Sequence, residues 1–170
     1  MHRPTSLLFT FPLLLSAACA SSKDEVIDVV FDPCEPLVIE LDAPTDEQRA
    51  GVVEGLQLWN DLLHGKLTVE DVEHAARVPL QFDEAAHAFH GYYDDEVGTI
   101  FINQDLVGRD RVITVAHEVG HALGLYHVDK NERPSVMNHG NMEHTPNEGD
   151  AAAVHALWGE CPDEDAPVTP

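Results

Sequence analysis

The feature that most constrains this chain is the stretch from His117 to His127, which reads HEVGHALGLYH. His117 and His121 are four residues apart, so on a helix both rings leave the same face one turn apart. Two imidazoles in this relation can bind one metal ion at about 2.0–2.1 Å each. Gly124 is suited to end that helix, and three residues later His127 can supply a third nitrogen. Three protein ligands and one open position are the arrangement of a catalytic zinc site.

Glu118, which directly follows the first of these histidines, is the candidate catalytic group. On a helix it lies one step round from His117, close to the open side of the metal. A carboxylate in that position can act as a general base and take a proton from a zinc-activated water. The motif therefore predicts a hydrolytic zinc centre.

The extended pattern H-E-x-x-H-x-x-G-x-x-H is the metzincin signature, and Met137 lies ten residues after His127, where that family has its Met-turn. From the helix near Thr45 to Gly159, the chain resembles the metzincin zinc peptidases, and among them the matrixins. The resemblance implies an α+β fold with a twisted mixed sheet of four or five strands and two long helices. It places the zinc in the cleft before a small C-terminal subdomain, which begins after Gly124.

The resemblance also implies an activity. A single catalytic Zn²⁺ and Glu118 would hydrolyse peptide bonds of protein or peptide substrates, and the open family cleft indicates an endopeptidase. Met137 would pack beneath the three histidines as a hydrophobic base. The alternative is a binding or inactive protein that keeps the fold without turnover, and the intact Glu118 argues against it.

Two further side chains are candidates for supporting roles, and the sequence leaves both open. Asp129 could accept a hydrogen bond from a ligand imidazole, or it could be a solvated loop residue. His139 lies two residues after Met137, where two metzincin families have a Tyr that helps to stabilise the oxyanion. His139 could donate a hydrogen bond in the same way, but matrixins lack that Tyr, which favours a surface role.

Additional metal sites have only partial candidates. His87 and His90 could join Asp94 or Asp95 in a structural zinc site of the kind matrixins carry, although the spacing differs from theirs. The many carboxylates also leave Ca²⁺ open as a second cofactor. We expect one catalytic Zn²⁺.

Charge limits the partners of the chain. Its 170 residues include 9 Lys and Arg against 31 Asp and Glu, which gives a net charge of −22. That charge argues against binding to nucleic acid and to anionic membrane surfaces. The length suits one domain with its own core, and we expect a monomer.

Residues 1–20 are predicted to be a signal peptide, because an early Arg3 precedes an apolar run from Leu7 to Ala18 that is too short to span a membrane. Two cleavage signals overlap at its end. The sequence around Cys19 fits an A-x-A site of a secreted protein, and it also resembles a bacterial lipobox. We favour the lipobox, in which Cys19 is lipidated and anchors the protein in a bacterial envelope. Both interpretations export the chain.

The exported chain is predicted to comprise a catalytic domain, residues 21–160, and an acidic Pro-rich tail, residues 161–170. Cys34 and Cys161 then form an even pair, which predicts a disulfide. The rival hypothesis is that Cys34 belongs to a remnant of the matrixin cysteine switch, with its thiolate on the zinc. The Arg and Gly of that switch are missing here, so we favour the disulfide.

Hydrophobic periodicity predicts the main elements. Pro79 is expected to confine its strand to a sheet edge. The strand over 98–103 is expected to offer its edge to an extended peptide, as implied by the matrixin resemblance. The predicted strands are 26–31, 37–41, 78–82 and 98–103, and the predicted helices are 46–63, one beginning near Asp110, and 150–159.

Overall fold

The computed structural model describes residues 26–86 and 88–162. The predicted signal peptide, Cys19, His87 and most of the predicted tail lie outside the described residues. None of the helices within the described ranges is long and apolar enough to cross a membrane.

A mixed five-stranded sheet in the order β2-β1-β3-β5-β4 forms the centre of the described fold. Four strands run parallel, and β4 is antiparallel to β5 at the edge. Buried parallel strands need apolar residues on both faces, which explains the apolar composition of the central strands. The strands are β1 (Leu37–Leu41), β2 (Leu67–Thr68), β3 (Ala76–Asp83), β4 (Gly91–Asp94) and β5 (Thr99–Asn103), and the helices are α1 (Asp46–Leu63), α2 (Gly108–Ala122) and α3 (Glu148–Trp158).

Helix α1 begins and ends where the sequence predicts. Thr45 and Gln48 form a capping box that satisfies backbone N–H groups at its N-terminus. Gly55 allows close contact with α2, because a Cβ there would lie 2.9 Å from the Val115 side chain. Trp59 is fully buried and donates its indole N–H to the Ala116 carbonyl at 2.8 Å. These contacts fix α2, which carries the histidine motif, against the core.

Three predictions about the sheet are wrong. Residues 26–31 form no strand, and the strands that contain Pro79 and Phe101 lie inside the sheet, not at its edge. Pairing of β3 with β5 starts at Leu80, so Pro79 has a strand partner on one side only and its missing N–H is tolerated. The edge strand next to α2 is β4.

Cys34 and Cys161 form a disulfide, with Cα atoms 4.9 Å apart and a sequence separation of 127. The bond joins the loop before β1 to the chain just after α3. It uses the sulfur that the cysteine-switch hypothesis requires as a free thiolate, so the structure supports the disulfide.

Replacing both cysteines by Ser should lower the free energy of unfolding by up to about 4–5 kcal/mol, because a long cross-linked loop restricts the unfolded chain. Urea unfolding followed by circular dichroism would measure the loss, with the Cys19→Ser variant as a control. An unchanged unfolding midpoint, or a free Cys34 thiol in the exported protein, would contradict the bridge.

Candidate metal centre

Helix α2 packs against β4 and β5 and carries His117, Glu118 and His121. The helix stops as predicted: Gly124 has φ +95°, a conformation that favours glycine, and its N–H donates to the His121 carbonyl at 2.9 Å. The chain reverses there and returns His127 toward the other two rings.

The three rings converge on one point. The Nε2 atom of His127 lies 3.2 Å from that of His117 and 3.3 Å from that of His121. Their metal-binding nitrogens all lie within 4.8 Å of one another. Tetrahedral ligands at 2.0–2.1 Å from an ion are about 3.3–3.4 Å apart, so two of the three separations match such a site.

The hydrogen bonds of the rings determine which nitrogen faces that point. Nδ1 of His117 lies 2.7 Å from the Val136 carbonyl, and Nδ1 of His121 lies 2.7 Å from the Leu125 carbonyl. A carbonyl oxygen only accepts, so both Nδ1 atoms carry the proton and both Nε2 atoms present lone pairs. A proton on Nε2 of His127 could be donated to only one of these two lone pairs, whereas a metal ion can accept a lone pair from each of the three rings. The residues present therefore fit a metal ion.

Burial keeps two of these ligands neutral. It lowers the pKa of His117 to about 4 and that of His121 to about 3, while the carbonyl hydrogen bonds act in the opposite direction. Imidazole binds a metal in its neutral form, so both rings are ready to bind at physiological pH.

Glu118 is buried beside the triad, and β4 supports it. Glu118 is only 4% exposed. Burial raises the pKa of its carboxyl group to about 8, and a hydrogen bond from the Tyr93 backbone N–H partly offsets that rise. A Cβ at Gly91 would lie 3.1 Å from Glu118 Oε1 and 2.9 Å from the Thr114 methyl group. The carboxylate thus packs against bare backbone of the edge strand. A carboxyl group near neutral pKa is suited to proton transfer, and a bound cation would lower that pKa.

Met137 is fully buried, and its side chain packs against Gly120 of α2, between the two helical histidines in sequence. A Cβ at Gly120 would overlap the Met137 sulfur and would lie 3.3 Å from the Trp59 ring. Any residue larger than glycine would therefore displace these side chains. Gly120 was not singled out from the sequence, because the reason for a glycine there is a side chain 17 residues away.

Asp150 organises the loop that carries Met137, whereas the sequence alone placed it only at the start of the last helix. This fully buried carboxylate accepts hydrogen bonds from the Ser135 hydroxyl, the Val136 backbone at 3.1 Å and Arg133 at 2.7 Å. Ser135 in turn accepts from the Met137 backbone at 2.9 Å. The sequence offered one indication of this role, which is an acidic residue three positions after Asn147, the N-cap of α3.

Of the two supporting candidates, His139 lines the cleft and Asp129 makes hydrogen bonds within its own loop. The His139 ring is exposed, lies 5.0 Å from the His127 ring between centroids, and lines the cleft. Asp129 accepts hydrogen bonds from the backbone and side chain of Asn131 at 2.8 and 2.9 Å, so it shapes the loop after His127. The outer partners of His117 and His121 are carbonyls, as described above.

A cleft of about 520 Å³ runs past the triad along β4. His90 and Asp95 line it, but within residues 26–86 and 88–162 only His117, His121 and His127 form a group that could hold a metal. The sites predicted for a second zinc or for calcium remain predictions.

The molecule is thus a mixed α/β domain with a three-histidine site in a cleft. No protein-family model and no curated protein sequence matches the chain. Many chains in solved structures do match, among them one described as "Structure of myroilysin", with 21% sequence identity and a TM-score of 0.43. That match covers 60% of this chain and 54% of the other, so the chain spans about half the length of the protein it matches.

Proposed function

We propose that the protein is a zinc-dependent endopeptidase of the metzincin class, with a matrixin-like arrangement. The observation that carries the proposal is the convergence of three imidazole nitrogens next to a buried glutamate. Imidazole suits several transition metals, and three histidines with an open position are a typical catalytic zinc site.

His117, His121 and His127 would hold the ion. When bound, zinc supplies a Lewis acid that polarises the scissile carbonyl and lowers the pKa of water. Glu118 would accept the proton of the attacking water and then deliver it to the leaving amine. Its burial against Gly91 holds the carboxylate in place for both transfers.

The free edge of β4 is an argument for a peptide substrate. Asn103 and Gly98 donate to the carbonyls of His90 and Asp94, so the backbone groups of Gly91 and Tyr93 point away from β5. The Tyr93 N–H bonds to Glu118, and the Gly91 groups and the Tyr93 carbonyl face the cleft. An extended peptide can add to such an edge as a further strand. This would place its backbone beside Glu118.

We also propose that the protein acts outside the cytoplasm as a monomer, after cleavage of its signal peptide directly before Cys19. The disulfide supports an oxidising compartment. Cys19 would carry a lipid anchor in a bacterial envelope, residues 21–160 would form the catalytic domain, and residues 161–170 its tail.

The test uses purified residues 21–170 and an unfolded casein-type substrate. We expect one zinc per chain and cleavage within the substrate. Removing the metal with a chelator should abolish cleavage, and adding zinc should restore it. Bound zinc without turnover on any peptide would favour the binding protein, and failure to bind metal in the folded protein would overturn the proposal.

A further inference from the structure

Residues 26–31, here called the N-terminal strap, cross one end of the cleft. The Phe31 N–H donates to the Ala122 carbonyl at the end of α2 at 2.8 Å. At the other side, the Tyr93 hydroxyl donates to the Val29 carbonyl at 2.8 Å. The strap therefore joins the metal-bearing helix to the edge strand.

The strap also ends the free edge of β4. The Val29 N–H donates to the Asp95 carbonyl at 3.1 Å, which is the next outward-pointing group after Tyr93. A peptide added to this edge can pair with Gly91 and with the Tyr93 carbonyl but meets the strap at Asp95. The substrate residues nearest the strap must therefore lie beside Asp95.

The Asp95 carboxylate is held in a fixed orientation at this end. Its Oδ2 accepts the Asp28 N–H at 3.2 Å. No hydrogen bond from the described part of the chain reaches its Oδ1. The residue is half-buried and lines the same cleft as the histidines, so a charged oxygen is available there.

The surroundings of Asp95 suit a long cationic side chain. Ile27, Tyr93 and Tyr126 supply apolar and aromatic surface, on which the methylenes of Lys or Arg can pack. The Tyr126 hydroxyl lies 3.1 Å from the Ile27 N–H, which keeps these walls together. Among the described residues that line the cleft, the carboxylates are Glu118 and Asp95, and there is no Lys or Arg.

We propose that Asp95, with Ile27 and Tyr126, forms a subsite for a Lys or Arg side chain of the peptide substrate on the strap side of the scissile bond. This deepens the proposed function and rests on it. To hold the strap, residue 95 needs only an oxygen that accepts the Asp28 N–H, and the side-chain amide of an Asn at this position also provides one. Recognition of a cation requires the charge, so the two roles separate in the Asp95→Asn variant.

The experiment compares zinc-loaded protein on fluorogenic peptides that differ only by Lys, Arg, Gln or norleucine at each position around the cleaved bond. We expect Lys and Arg to exceed Gln about two- to fivefold in kcat/KM at one strap-side position, the range for a partly exposed ion pair. Asp95→Asn should bring that ratio close to one. Glu96→Gln, which removes the same charge from the adjacent exposed position, should keep the wild-type ratio.

Three results would overturn the subsite. These are no cationic preference in the wild type, a preference that survives Asp95→Asn, or an equal loss on all peptides, which would mean that Asp95 only holds the strap. If no peptide is cleaved, the proposed function fails instead. Calorimetry of the Lys and Gln peptides on the zinc-loaded Glu118→Gln variant then decides, because equal affinities or no binding reject the subsite without turnover.

Discussion

Glu118→Gln is expected to lower kcat/KM on peptides by about 10²–10⁴-fold or more, the usual contribution of a general base. The amide fills the same buried space against Gly91 but cannot accept the proton. Zinc content should stay at one per chain, because the three ligands are unchanged. The loss should therefore be one of turnover and not of metal.

Cleavage rates and metal content measured on the same preparation check this result. Glu54→Gln, on the exposed side of α1, is the matched control and should behave as the wild type. A Glu118→Gln enzyme that cleaves at a near wild-type rate would show that another group moves the proton.

His121→Ala is expected to weaken zinc binding by more than about 100-fold. Loss of an outer hydrogen-bonding partner alone costs 10–100-fold, and a direct ligand contributes more. The remaining pair, His117 and His127, would leave the ion with two protein ligands. Peptide cleavage should disappear with the metal at ordinary zinc concentrations.

Competition against a chromophoric chelator measures the affinity, and circular dichroism verifies the fold. His155→Ala on α3 removes an imidazole away from the triad and should keep full affinity. A folded His121→Ala protein that retains tightly bound zinc would exclude the triad as the metal site.

Local sequence signals predicted much of the site. His117, Glu118 and His121 lie on one helix, where spacing alone fixes their relation. Helix α1 was placed correctly by its periodicity and by Thr45 as its cap. His127 also lies where its short distance beyond the Gly124 turn predicts, beside the other two rings.

Long-range contacts could not be predicted in the same way. Residues 26–31 have the composition of a strand, but their backbone groups bond to Asp95 and Ala122, which are distant in sequence. The glycines at 91 and 120 accommodate side chains from other elements. Side-chain pattern shows which residues can be buried, but it does not show which backbone groups will pair.

The carbonyl partners of His117 and His121 have a consequence for metal exchange. A carboxylate behind an imidazole makes it a stronger electron donor, and a neutral peptide carbonyl does so less. An ion held through these two rings would keep more of its own charge and would polarise a bound amide more strongly. It would also be held less tightly than by rings backed by carboxylates, so a chelator would remove it more easily.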